Sequence, residues 1–321
     1  MNRFAHPLVS TLRRIWAVDR PLTAMSVLMC GTLAAALIGL VVDPRTILGA
    51  PAWLKPAKFA VSIALFGFTL AWIFSYLQEW PRLRRRVSTV AVAVFLGEMA
   101  IIVVQAWRGT TSHFNVGTPL DAALFSVMGF GILLQTATTV AVAVALWRQP
   151  FADRALAWAL RLGIAISLVG SGTGGLMTAP TDTQLAEART VGTLPVSGAH
   201  TVGAPDGGPG MPGTGWSVAH GDLRVPHFVG LHAVQVLPLL LFAMPSRWSA
   251  TVRARVTLAS AGSYAALFAL LLAQALGGES VVQPSALTLT LFTMWALSSA
   301  VVLTAAAMVN PRPGQKQAMS F

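Results

Sequence analysis

The chain has 321 residues, of which 55% are hydrophobic and 10% charged, and its mean hydropathy is +0.67. A soluble domain carries roughly 25% charged residues, so this balance excludes an ordinary soluble globular protein. The net charge of +11 does not indicate nucleic-acid binding, because the arginines lie in short clusters between apolar runs and no basic stripe carries interleaved aromatics.

Apolar runs long enough to cross a bilayer recur along the chain and predict an all-α, polytopic transmembrane helical bundle. Eight spans are expected, at roughly 22–42, 57–77, 87–107, 121–147, 155–177, 226–245, 255–276 and 286–309, in a single transmembrane domain over 1–321. The first run is longer than the apolar stretch of a signal peptide and reads as a retained helix. Its lone cysteine, Cys30, reads as a packing residue. Pro21, Pro56, Pro119, Pro226 and Pro284 stand near run starts, where a first helical turn accepts proline. With the N-terminus inside, the inner segments hold 15 of the 22 Lys and Arg, the outer segments six, and Arg161 lies within the fifth run. That bias predicts both termini in the cytoplasm. Tryptophans at the run ends, such as Trp53, Trp107 and Trp147, agree with this frame.

The polar residues follow in chain order. Lys55 and Lys58 open the second run. They suit an anionic group such as a lipid phosphate, a substrate carboxylate or a porphyrin propionate, although snorkelling at the interface is the preferred reading. Glu98 is the one acidic residue well inside a run, and a buried carboxylate needs a partner or a proton. Gln105 lies two turns further along the same face. Arg108 and Ser112-His113-Phe114-Asn115 follow at the outer mouth. Thr118-Pro119-Leu120-Asp121 reads as a helix N-cap with an acid in the first turn. The glycines of VGSGTGGLM (Gly170, Gly172, Gly174, Gly175) follow no strand, so they predict close helix packing or a broken helix end, not a phosphate loop.

One long connection, 178–225, lies on the outer side. Its Gly/Pro-rich middle, Gly203–Gly215, reads as a flexible lid or tether, and His200 within the connection reads as solvated. The stretch Gly215–Leu239 then carries His220, His227 and His232, with Gln235 beyond. His227 and His232 are five residues apart, a rotation of roughly 140° on a helix. That spacing does not favour one ion held by both, but it lets them flank one cavity. Asp222 and Arg224 pair with each other or with groups of the site. The chain has no CxxC, HExxH, P-loop or GxSxG motif.

Three strings, WLKPAKF (53–59), RGTTSHFN (108–115) and GDLRVPHF (221–228), resemble recurring blocks of an uncharacterised family of bacterial polytopic membrane proteins. The resemblance implies about eight helices in a bacterial membrane and no activity, and the charge bias puts the expected site on the outer side of an inner membrane.

Lys55 and Lys58, Glu98 to Asn115, and His220 to Gln235 thus converge on the outer face. The leading expectation is a His-rich cofactor site for a transition metal or haem b, serving membrane redox chemistry on a small-molecule or quinone-like substrate. His113, His220, His227 and His232 are the candidate metal ligands, and Glu98 is the candidate catalytic group. Gln105, Arg108, Arg224 and Gln235 are placed to orient a bound group. The alternative is a proton-coupled transporter or receptor for a small molecule, with Glu98 as the proton carrier. A third reading is a structural or assembly subunit. The expected partners are the lipid bilayer and a small-molecule or quinone-like substrate, and nucleic acid is excluded.

Overall fold

A computed structural model describes residues 7–308 of the chain. It is built almost entirely of helices: α1 (Pro7–Val18), α2 (Arg20–Val42), α3 (Leu54–Phe74), α4 (Pro81–Arg108), α5 (Pro119–Arg148), α6 (Arg154–Thr178), α7 (Asp182–Val191), α8 (Arg224–Leu231), α9 (Ala233–Ala243), α10 (Ala250–Leu276) and α11 (Ala286–Met308). Four two-residue strands form two small ribbons: β1 (Thr46–Ile47) with β2 (Ala50–Pro51), and β3 (Thr201–Val202) with β4 (Gly221–Asp222). Among the described residues, seven helices are long and apolar enough to cross a membrane, and the bent pair α8–α9 supplies an eighth crossing if it counts as one.

Helix starts carry local signals. Asp19 caps α2 by accepting from the Leu22 N–H, Asp153 caps α6, and Thr118 caps α5. Proline occupies the first or second position of α2, α4 and α5, where its missing N–H costs nothing. The expected spans therefore match the observed helices within a few residues, except that the expected 226–245 is broken at His232.

Alternating crossings put the connections on two faces. An arginine-rich face carries the turns 75–80, 149–153 and 244–249, and a second, capped face carries the connections 43–53, 109–118, 179–223 and 277–285. With α8–α9 counted as one crossing, α2 starts and α11 ends on the arginine-rich face. Helix α6 is central and packs on α5, α8, α9 and α10, while α2 and α3 form a tight pair beside α4. Leu22, Met29, Phe74, Leu146, Leu160, Leu237 and Leu241 are fully buried in the main core. Helix α11 lies against α10 with no residue buried. Its exposed Leu, Val and Met side chains suit lipid contact.

Glycine permits the closest crossing. A Cβ on Gly170 would lie 2.5 Å from the Gly230 backbone, so α6 and α8 meet main chain to main chain. The small residues at the end of the fifth span thus serve close packing, as the sequence suggests. Ser167 on α6 then repairs the break between α8 and α9, which are bent by 51°. Its hydroxyl donates to the Leu231 carbonyl at 2.9 Å and accepts from the Val234 N–H at 3.2 Å. A broken helix at membrane depth needs such a donor and acceptor, because lipid offers none.

The long connection is a folded cap. Helix α7 opens with a capping box between Thr181 and Gln184. Val196 bridges to Asn115, and β3 pairs with β4. The Gly/Pro-rich middle folds as a turn in which Met211 N–H reaches Trp216 O at 2.7 Å and Val218 N–H reaches Pro209 O at 3.1 Å. Lys58 Nζ holds it from α3 through Thr214 O at 2.7 Å, and Arg224 Nη2 holds it through Gly215 O at 2.6 Å. The expectation of a free tether gives way to a segment fastened at both sides, because these partners come from distant parts of the chain.

Candidate functional site

Beneath the cap, α3, α4, the 109–118 loop and α8 present their polar groups to one another. The first turn of α3 provides Lys55, whose Nζ lies 3.1 Å from His113 Nδ1. Ser112 Oγ lies 3.1 Å from the same nitrogen. An ammonium can only donate, so His113 accepts at Nδ1 and carries its proton at Nε2. Burial, then the Lys55 charge, holds the His113 pKa well below that of a free histidine. Three phenylalanines wall the ring, with centroids 5.6 Å (Phe59), 6.2 Å (Phe114) and 6.4 Å (Phe125) away. The lysines therefore turn into the protein, where the sequence favours snorkelling outward.

Phe114 is a bulky residue at φ 65°, in the left-handed region that such residues rarely enter. Its carbonyl accepts from the Ser197 N–H at 2.8 Å, and its ring lies 4.8 Å from that of His200. Gly198, at φ 113°, allows this approach, since a Cβ there would strike Met177 O and the Phe114 ring. Strain of this kind persists only where the surroundings enforce it, here between the cap and the helix mouth.

His200 is a site residue that its composition-poor surroundings hide. Asp206 accepts from His200 Nδ1 at 2.8 Å and from the backbone N–H groups of His200 and Thr201. Burial lowers the His200 pKa more than Asp206 raises it. The contact is thus a hydrogen bond from a neutral ring rather than an ion pair. Burial alone would raise Asp206, but the bonds from His200 and Thr201 outweigh it and hold the carboxyl well below the usual range. The legible signal was Ala204-Pro205-Asp206-Gly207, a turn sequence that brings an aspartate back onto its own chain.

His227 on α8 points Nδ1 at Gly170 O (2.9 Å) and Thr173 Oγ1 (3.0 Å) of α6. His113 interacts electrostatically with both His200 and His227. Of the other two expected ligands, His232 interacts electrostatically with His227. His220 is exposed on the cap, and His232 sits at the helix break with its ring 4.3 Å from Phe228. Among the described residues, no three His, Cys, Asp or Glu side chains gather into a group able to hold a metal ion. The four expected ligands therefore do not form one metal centre, and the donor set does not fit the expected metal.

The residues expected to orient a bound group have other partners. Arg108 and Gln105 both bond Asp121, at 2.7 and 2.8 Å, and Arg108 also bonds Gln105. Asp121 accepts from Thr118 as well, and its own N–H closes the N-cap of α5. This knot ties α4 to α5. Arg224 forms a two-pronged pair with Asp222 at 2.6 and 2.9 Å, as its neighbourhood in the sequence suggests. Gln235 reaches Thr69 at 3.4 Å, and its side chain also interacts with His232 at the helix break.

Glu98 stands apart from all these pairs. It is 4% exposed, and neither carboxylate oxygen has a hydrogen-bond partner. Ten residues separate it from the end of α4, about 15 Å along the helix. Lys55 is the charge that acts on it. Arg108, on the same helix, is taken by Asp121, and His232 lies at the helix break.

Compared with protein-family models, characterised proteins and solved structures, the chain matches none. The resemblance of its three strings to a bacterial membrane family therefore gains no support. The apolar helices remain those of a membrane-spanning protein.

Proposed function

We propose that the protein is a membrane-embedded carrier or receptor for a small molecule, with Glu98 as an exchangeable proton site. The observation that carries this reading is the buried Glu98 carboxylate with both oxygens unpartnered. Leaving a buried charge unpaired costs several kcal/mol, so such a group takes a proton or a cation. The broken span α8–α9 supports the same reading, since discontinuous helices form the midplane binding sites of many transporters. The folded cap, fastened by Lys58 and Arg224, covers one mouth of the site. The arginine clusters support a cytoplasmic position for the opposite face, and with it a cap that faces outward across a bacterial inner membrane. Redox chemistry on haem b or a metal has no comparable feature in its favour.

Infrared difference spectra between acid and alkaline pH, taken on protein in lipid, test this reading. A protonated-carboxyl band that titrates in the wild type and vanishes in Glu98→Gln is expected. Identical difference spectra in the two proteins would show that Glu98 does not exchange a proton and would overturn the proposal.

A further inference from the structure

We infer that the ligand is an organic monocarboxylate with an apolar, preferably aromatic body, bound by Lys55 against Phe59, Phe114 and Phe125 together with a proton on Glu98. This rests on Glu98 as the proton site and assigns the substrate class.

Charge bookkeeping under the cap leads to this class. Lys55 interacts electrostatically with Lys58, Glu98, Arg224 and Asp206. Arg224 is neutralised by Asp222 within a two-pronged pair. Asp206 is engaged by His200 and two backbone N–H groups. Lys58 donates to a backbone carbonyl. The rings of His113 and His200 are neutral, and that of His227 is tied to the Gly170 carbonyl. What remains, among the described residues, are two lysines without a carboxylate partner, Lys55 and Lys58, and one carboxylate without a hydrogen-bond partner, Glu98.

Ionised Glu98 offsets the charge of Lys55. When Glu98 takes a proton, Lys55 lacks a counter-charge in a setting of low dielectric. An anion entering at that moment replaces the lost counter-charge, so proton and anion bind together and the pair moves without net charge. No bond is made or broken apart from protonation of the Glu98 carboxylate.

The walls select the body of the anion. Lys55 has three N–H donors, of which His113 takes one, and its ammonium lies 5.9 Å from the Phe59 ring centre. Phe59 lies beside that cation, and Phe114 and Phe125 join it around the neighbouring His113 ring. Edge and stacking contacts of such rings favour an aromatic guest. Inorganic anions gain the charge but not these contacts. A cationic guest would meet Lys55 and Lys58 at the mouth before it met Glu98.

The test uses full-length protein in lipid nanodiscs with benzoate as probe, and benzylamine and benzyl alcohol as cationic and neutral controls. Calorimetry should show saturable benzoate binding only, with uptake of one proton per benzoate in weakly buffered medium. Lys55→Met should weaken binding roughly 10- to 100-fold, as expected for one charge-assisted hydrogen bond. Lys55→Arg should retain binding, which separates lost charge from failed folding. Glu98→Gln, which imitates the protonated acid, should bind benzoate without proton uptake. Absent benzoate binding, tighter binding of benzylamine, or unchanged affinity in Lys55→Met would each overturn the inference. If Glu98 still titrates in the infrared spectra, the failure belongs to the ligand class and not to the proton site.

Discussion

Ser167→Ala removes the group that makes the broken span possible. In the wild type one hydroxyl bridges the break, donating to Leu231 O and accepting from Val234 N–H. The serine is 7% exposed, so water does not replace it freely. Hydrogen bonds between membrane helices average about 0.6 kcal/mol and reach about 1.7, so losing two predicts a loss of about 1–3 kcal/mol. The backbone cannot relax toward α6, because a Cβ on Gly163 or Gly170 would already touch the α8–α9 main chain at 2.9 and 2.5 Å. Reversible unfolding by SDS in mixed micelles measures the difference. Ser171→Ala is the control, since Ser171 makes only a 3.4 Å contact with Thr136 across helices and should shift stability by less than about 0.5 kcal/mol. If Ser167→Ala costs no more than this control, the hydroxyl does not sustain the break and the reasoning fails.

Three further outcomes follow from the same structure. Asp121→Ala strips an acceptor from Gln105, Arg108 and Thr118; a stability loss of about 1–3 kcal/mol is expected in the same unfolding assay, less than for a fully buried pair because Arg108 keeps solvent contact. His220→Ala should stay within about 0.5 kcal/mol of wild type and leave ligand binding unchanged, because the side chain is exposed; a binding defect in titrations would return His220 to the site. The cap should hold more tightly at pH 8 than at pH 5. Burial lowers the folded-state pKa of His113 and His200, so their stabilising effect is complete above the unfolded value of about 6.5 and fades as pH falls below it. Asp206 acts with the same sign, but only below its unfolded value of about 3.9. Hydrogen exchange at the Thr201 and Leu223 amides, corrected for intrinsic rates, reads this out, and equal protection at both pH values would contradict it.

The parts of this fold that depend on local sequence are legible without coordinates. Apolar length defines the spans, and Thr118-Pro119 and Asp153 mark helix starts. Glu98 is recognisable because it is the one acid inside a run, and the glycines near Gly170 because no strand precedes them. The features that escape are set by distant partners. Nothing near His232 announces a break, since Ser167 makes it tolerable from 65 residues away in the chain. Lys55 and Lys58 carry no mark of their inward turn, which His113 and Thr214 decide. The Gly/Pro-rich segment hides His200 because its order comes from Asp206, Phe114 and Arg224 rather than from an apolar core of its own. A histidine-rich stretch likewise suggests one centre, yet His220 is exposed on the cap and, among the described residues, no three ligating side chains gather.

Carbodiimide labelling of the membrane-embedded protein tests the central claim most directly. A hydrophobic carbodiimide reacts with a carboxyl that is protonated and lies in an apolar setting. The account predicts that Glu98 is the acid modified first, as read by peptide mass spectrometry, ahead of the paired Asp121 and Asp222 and the exposed Glu187. Modification of those acids with Glu98 left untouched would contradict it.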